Sequence, residues 1–136
     1  MADSHGLPIA AGIASGQRNE VGLVEETLEQ SFLDELPQRL IGDAAYDSTR
    51  LDKALLEKGV DMIAPVNKRH SRNKQDGRKL RRYRRRWKIE RLFSWLLAFR
   101  RLVTRYEHKA KNFLGFVHVA CAVILLRRSV EPRRGF

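Results

Sequence analysis

The stretch "RLIGDAAYDSTRLDKALLEKGVDMIAP" (residues 39–65) constrains the fold of this chain more than any other. It reads as a short buried strand over 39–46 that ends at a carboxylate, then a helix, then a second strand over 60–65 halted by Pro65. Asp47 or Ser48 can cap the helix, and Gly59 can stop it. Strands joined through a helix pair in parallel, because the chain must cross a face of the sheet before it returns. Upstream, "LPIAAGIA" (7–14) suits an opening strand. Val24, Leu28 and Phe32, interleaved with Glu25, Glu26 and Glu29, predict an amphipathic helix from Val21 that ends before Pro37. Strand, helix, strand, helix, strand is the order of an α/β fold.

Residues 66–79 nearly lack apolar side chains and read as a solvated basic loop. Beyond them a long helix is predicted from about Leu80 to Arg105, a second over about 110–128, and a disordered tail over 129–136. The apolar run "NFLGFVHVACAVILL" (112–126) is short for a membrane span and contains Asn112 and His118, so it is expected to be a buried helix. Cys121 is the only cysteine, which excludes an intrachain disulfide and fits a reducing cytoplasm; its surroundings make it a small apolar core residue. "MADSHGLPIAAG" has neither the basic start nor the long apolar core of a signal peptide.

With 43% apolar residues the chain can build a core, yet it carries a net charge of +11. That charge is unevenly placed. Residues 1–66 hold five Lys/Arg against twelve Asp/Glu, whereas residues 67–111 hold eighteen against three. The basic belt calls for a polyanionic partner, nucleic acid ahead of an anionic membrane surface. An acidic half joined to such a belt suits a site where cations hold a phosphate backbone and carboxylates do the chemistry.

Glu90 stands inside the belt, in "YRRRWKIERLFSWL" (83–96). At about 100° per residue, Ile89, Leu92, Phe93, Leu96, Phe99 and Val103 form the core face of the predicted long helix. Tyr83, Arg86, Ser94, Leu97 and Arg101 fall within roughly 40° of Glu90, with Trp87 only slightly further. Taken alone, Glu90 reads either as a helix ion pair with Arg86 or as one ligand of a divalent ion. The second reading needs another carboxylate. Asp43, at the end of a predicted strand, is the candidate, since ligands gather at the carboxyl edge of α/β sheets. Oxygen ligands favour magnesium or manganese. One Cys and four His (5, 70, 108, 118) show no ligand spacing, which argues against zinc. Arg84, Arg85, Lys88, Arg91, Arg100 and Arg101 are the candidate phosphate-facing cations. Trp87 and Trp95 can stack on bases or pack in the core, with core packing favoured for Trp95.

"IGDAAYDSTRLDKALLEKGVDMIAPVNK" followed by "YRRRWKIERLFSWLLAFRRLVTRYE" resembles the C-terminal catalytic part of a bacterial insertion-sequence DDE transposase. Asp43, Tyr46, Asp47 and Ser48 match the family's segment around its second catalytic Asp, and Tyr83, Arg86 and Glu90 match its Glu motif. "GLPIAAGIASGQRNE" resembles the strand and loop before that Asp, so the likeness covers about residues 3–126.

The resemblance implies a ribonuclease-H-like α/β fold, truncated at its N-terminus and followed by a long helical region, with residues 1–128 as a partial catalytic domain. It implies DNA cleavage and strand transfer in transposition, with Asp43 and Glu90 holding two Mg²⁺ or Mn²⁺ ions about 3.5–4 Å apart. Tyr83, Arg84, Arg85, Arg86, Trp87, Lys88, Arg91 and Arg101 are then the expected DNA contacts. The expected partners are the element ends and target DNA, an upstream transposase fragment, and further copies in the complete enzyme, at the bacterial nucleoid in the cytoplasm and without a membrane. Two departures stand out. Leu97 replaces the Lys that often follows the Glu, leaving Arg101 as its substitute. The first catalytic Asp is expected before Met1, and Asp3 belongs to a hairpin, so the chain alone is expected to cleave little or no DNA. The alternative from a different class is a basic nucleic-acid-binding module without chemistry.

Overall fold

The computed structural model describes residues 1–67, Gly77 and residues 81–130. The chain divides into two compact units, one formed by Ala14–Trp87 and the other by Met1–Ile13 with the chain from Lys88 onward.

The Ala14–Trp87 unit is built on the predicted crossover. Strand β1 (Arg39–Ile41) pairs in parallel with β2 (Asp61–Ile63), in the register Arg39–Asp61, Leu40–Met62 and Ile41–Ile63. Helix α2 (Thr49–Glu57) connects them and packs on β2. Ser48 caps it as expected, its hydroxyl accepting from the Leu51 amide at 3.4 Å. At the other end Gly59 takes φ +78°, a left-handed conformation that suits glycine. The Val60 amide then reaches the Leu55 carbonyl and the Gly59 amide the Leu56 carbonyl, both at 2.9 Å, a Schellman ending. Leu51, Leu55, Val60 and Ile63 are buried and form the centre of this unit with Val24 and Leu28 of helix α1 (Leu23–Glu29).

Several expected elements are shorter than predicted. The 39–46 strand ends at Ile41, because Asp43 starts a 3-10 turn over Ala44–Tyr46. The helix predicted from Val21 towards Pro37 begins as a 3-10 turn at Glu20–Gly22 and ends at Glu29, beyond which the Ser31 hydroxyl accepts from the Leu33 amide. Phe32, predicted to continue its apolar stripe, is exposed as a result. The basic loop predicted for 66–79 lies almost wholly outside the described residues, as do residues 131–136 of the predicted tail.

In the second unit, residues 7–14 are extended and carry isolated bridges at Pro8, whose antiparallel partner is Ala2, and at Ala10. They form no strand of the described sheet, and their apolar character serves burial: Ile9 and Ala10 are both buried. The preceding turn is the predicted hairpin. The Asp3 amide donates to the Leu7 carbonyl, and Asp3 Oδ1 accepts from the His5 and Leu7 amides at 2.7 and 2.8 Å.

The predicted helix from Leu80 to Arg105 is three pieces among the described residues: a 3-10 turn over Arg82–Arg86, helix α3 (Trp87–Leu97) and a short helix α4 (Arg100–Val103). The break at Ala98–Phe99 has neither glycine nor proline to announce it. Phe99 is extended there, and the Ala98 and Phe99 amides close back on the Trp95 and Leu96 carbonyls. A single helical wheel therefore misplaces the residues beyond the break. Leu92 is buried, but Val103 is 60% exposed, and Phe93, at the edge of the predicted face, is 58% exposed.

Helix α5 (Ala110–Val130) extends slightly past the predicted end. It buries Ala120, Cys121 and Ile124, and His118 Nε2 lies 3.3 Å from the Ala11 carbonyl. Burial pushes the Cys121 thiol up from its ordinary pKa, as expected of a core cysteine. The expectation of a buried helix holds for this face only; Val119, Leu126 and Val130 are exposed. By length and composition alone α5 could cross a membrane, but the buried face and the His118 contact tie it to the unit.

Leu55, with no exposed surface, tests the crossover core. Leu55→Ala is expected to lower unfolding free energy by about 2–5 kcal/mol, read as a lower urea midpoint at unchanged slope.

Candidate active site and nucleic-acid interface

Asp43 follows β1 by two residues, at the carboxyl end of the strand. Gly42 makes this path possible. A Cβ at Gly42 would stand 2.5 Å from Met62 Cε and 2.8 Å from Tyr46 Cδ2, so the chain can turn tightly there only without a side chain. Asp43 is the N-cap of the 3-10 turn: its Oδ1 accepts from the Ala45 amide at 2.8 Å, and its carbonyl accepts from the Tyr46 amide. The sequence pattern assigns capping to Asp47 or Ser48 and leaves Asp43 without that duty. In the structure Asp43 caps its own turn, and Ser48 caps the helix. Asp47 instead directs Oδ2 to the Asn67 amide at 2.7 Å, tying the chain after β2 to this turn.

Among the described residues, Asp43 Oδ2 accepts no hydrogen bond, so half of the carboxylate remains available. Tyr46 lies beside it. Burial first, then the nearby Glu20 and Asp43 carboxylates, pushes the Tyr46 hydroxyl above its ordinary pKa. Sequence reasoning misses Glu20 and the role of Tyr46. Tyr46 is visible only as part of a motif, and Glu20, more than twenty residues before Asp43, has no periodic relation to it.

The same unit holds the turn Arg82–Arg86, which packs against β1. Here Tyr83 and Arg86 are brought together. Arg86 Nη1 donates to the Tyr83 hydroxyl at 2.9 Å, and its guanidinium lies 5.2 Å from the Tyr83 ring centre. An arginine stacked on tyrosine in this way is oriented while its charge stays exposed, a disposition suited to phosphate. Arg84 and Arg85 are exposed beside it, and Trp87 is 51% exposed.

The remaining predicted residues belong to the other unit. Glu90 is exposed in the first turn of α3, and its carbonyl accepts from the Ser94 hydroxyl. Lys88 Nζ donates to the Ser4 carbonyl and Arg91 Nη2 to the His5 carbonyl, so both clasp the N-terminal turn. Gly6, at φ +80°, completes that clasp, since a Cβ there would stand 2.9 Å from Arg91 Nη2. Trp95 is half-buried between the guanidinium groups of Arg91 and Arg128, at 4.9 and 4.4 Å from the ring centre.

Arg101, expected on DNA, is engaged within the protein. Its Nη1 lies 3.1 Å from Oε1 of Glu107, whose side chain is only 8% exposed, and its guanidinium lies 5.3 Å from the Phe116 ring centre. Glu107 Oε2 also accepts from the Tyr106 amide. Sequence reasoning misses Glu107 because its partner is six residues away across a break in the helix, a spacing no regular element marks.

Three comparisons with known proteins bear on this geometry. The family described as Transposase DDE domain matches residues 1–125. A protein of Brucella ovis named as a transposase for insertion sequence element IS6501 is 36% identical over 88 residues, covering 65% of this chain and 67% of that protein. A protein of Burkholderia cepacia named as a transposase for insertion sequence element IS402 is 29% identical over 136 aligned residues, covering 90% of this chain and 58% of that protein. No solved structure matches. The chain belongs to the DDE transposase family, as the Asp43 and Glu90 segments led us to expect.

The two kinds of arginine separate by experiment. Arg101→Ala leaves the nearly buried Glu107 unpaired and is expected to cost about 1–3 kcal/mol in thermal unfolding. Arg84→Ala is expected to stay within about 0.5 kcal/mol of the parent.

Proposed function

We propose that this chain is a partial catalytic domain, over residues 1–128, of an insertion-sequence transposase with a ribonuclease-H-like fold, and that Asp43 and Glu90 are two of its metal-binding carboxylates. The observation that carries the reading is Asp43 itself: it sits just past the end of β1, fixed through Oδ1 while Oδ2 accepts no hydrogen bond among the described residues. In this reading the first catalytic Asp lies outside these residues, and Asp3 serves the N-terminal turn, its Oδ1 accepting from the His5 and Leu7 amides.

Among the described residues no three His, Cys, Asp or Glu side chains cluster as a complete metal cage. That suits Mg²⁺ or Mn²⁺, which bind through one or two carboxylates and take their other ligands from substrate phosphate and water. When bound, such ions lower the barrier to in-line displacement at phosphorus by stabilising the entering and leaving oxygens. The protein's own part is binding and orientation. Arg86, held by Tyr83, grips a phosphate beside β1, and Arg84 and Arg85 extend that contact along the strand. Trp87 offers an exposed ring to a base. Lys88, Arg91 and Arg101 add positive potential while their donors hold the protein together. The substrate is DNA at the element ends and target, acted on in the bacterial cytoplasm at the nucleoid. The complete enzyme includes the upstream transposase segment and more than one copy.

The test is nicking of element-end DNA with Mn²⁺ or Mg²⁺ by the chain combined with the upstream segment. Asp43→Ala and Glu90→Ala are each expected to reduce nicking to background with DNA affinity unchanged. Cleavage retained in either variant would sink the assignment. Replacing Arg84 and Arg85 together is expected to reduce the slope of log affinity against log salt by about 0.9 for each lost phosphate contact. Salt-steep binding without metal-dependent nicking would identify a binding module instead.

A further inference from the structure

We propose that the loop after helix α4 carries a stacking platform for an unpaired DNA base: the Tyr106 ring takes the base, and Arg100 takes the neighbouring phosphate. The site rests on DNA being the partner of this chain. It adds a residue, Tyr106, that neither the Asp43 turn nor the Glu90 motif includes.

Tyr106 is 69% exposed, more than any other aromatic side chain among the described residues. An exposed ring on a loop is ordinarily mobile, yet four hydrogen bonds hold the chain around this one. Glu107, whose side chain is 8% exposed, accepts from the Tyr106 amide at 3.3 Å through Oε2 and from Arg101 Nη1 at 3.1 Å through Oε1. Arg105 donates from Nε to the Glu107 carbonyl at 2.9 Å and from Nη2 to the His108 carbonyl at 3.2 Å. The Arg101 guanidinium also reaches two rings, 5.9 Å from the centre of Tyr106 and 5.3 Å from that of Phe116. It backs one face of Tyr106 and leaves the other to solvent. Three charged side chains are thus committed to a loop whose aromatic residue buries little. A ring fixed outward in this way has little conformational freedom left to lose when a flat ligand stacks on it.

The surroundings define that ligand. Arg100, Arg101, Val103, Thr104 and Tyr106 line an open depression of about 330 Å³. Arg100 is exposed there, and Lys109 and Lys111 are exposed just beyond. Glu107 is the only acidic residue between Glu90 and Glu131, and both its oxygens are taken. This stretch therefore presents cations without a free carboxylate to oppose them, and it attracts a polyanion. An acidic peptide would satisfy the charge but give the ring no flat partner. A nucleic acid supplies a phosphate and a base together. Inside a duplex a base is covered on both faces by its neighbours, so the ring calls for an unpaired one, in a single strand or at a frayed end.

Fluorescence anisotropy on the whole chain tests this with two labelled DNAs of equal length, a single strand and a duplex. Tyr106→Ala is expected to weaken single-strand binding about 5–150-fold, the loss of one base–aromatic stack, and to leave duplex binding unchanged. Tyr106→Phe and Tyr106→Trp keep a ring and are expected to bind the single strand as the parent does. Arg100→Ala is expected to reduce the salt slope for the single strand by about 0.7, the share of one phosphate contact. An aminopurine base placed in the strand reports stacking itself. Its fluorescence is expected to fall on binding to the parent and to Tyr106→Phe, and to stay near the free value with Tyr106→Ala. Unchanged single-strand affinity in Tyr106→Ala overturns the proposal, as does a Tyr106→Phe variant that behaves like Tyr106→Ala, or an equal loss on strand and duplex. Competition by a polyglutamate peptide that depends on Tyr106 would show an acidic peptide to be the ligand and overturn it too. A parent chain that binds neither DNA overturns the reading of DNA as partner, and the platform with it.

Discussion

Parallel pairing of β1 with β2 is the constraint on which the candidate site depends. Parallel neighbours require a crossover, here α2, and the crossover requires the chain to leave β1 and start a helix within a few residues. Asp43 occupies that exit. Its position at the strand's carboxyl end thus follows from topology, and its orientation from local chemistry: a glycine before it, an amide on Oδ1 and a tyrosine ring over the turn. The core beneath is small. Leu55, Val60 and Ile63 close it, and Gly59 lets the chain pass from α2 into β2 without leaving an orphaned carbonyl at the helix end.

The basic belt serves two purposes that sequence alone could not separate. Lys88, Arg91, Arg101 and Arg105 direct donors at carbonyls or a carboxylate of the protein, and Arg91 and Arg128 flank Trp95. Such arginines contribute field at a distance, but their fork geometry is already used. Arg84 and Arg85 remain exposed, and Arg86 is oriented by Tyr83. A surface that reads as uniform charge along the chain is divided into cations that hold the fold and cations that face outward.

How much was legible in the sequence tracks how local each cause is. Strand, cap, helix and glycine stop from Arg39 to Ile63 are set by neighbouring residues, and the cap at Ser48, the stop at Gly59 and the parallel pairing all appear. The early end of β1 was less legible, because Asp43 prefers the amide two residues on over another residue of strand. The helix break at Ala98–Phe99 carries no local signal, so the helical wheel puts Val103 on a core face it does not share. Residues 7–14 illustrate the limit of a short apolar run. Such a run specifies burial, and isolated bridges at Pro8 and Ala10 do not make it a strand of the sheet. Asp43 and Glu90 stand out because paired motifs occur in order, while Glu20 and Glu107 require contacts between distant turns.

Among the described acids, what each carboxylate already accepts decides what it can still do. Asp3 Oδ1 takes two amides of its turn, and Asp47 Oδ2 takes the Asn67 amide across the unit. Glu107 gives one oxygen to Arg101 and the other to the Tyr106 amide, and its side chain is nearly buried. These three are committed to structure, since withdrawing any of them strands a backbone donor or a cation. Asp43 likewise gives one oxygen to an amide while the other accepts nothing among the described residues, and of these acids it is the one that stands just past the end of β1. A ligand for a divalent ion needs both properties, an orientation held by the protein and an oxygen left over for the ion. Its place at the end of β1, together with one fixed and one spare oxygen, is the ground on which we propose Asp43 as a metal ligand.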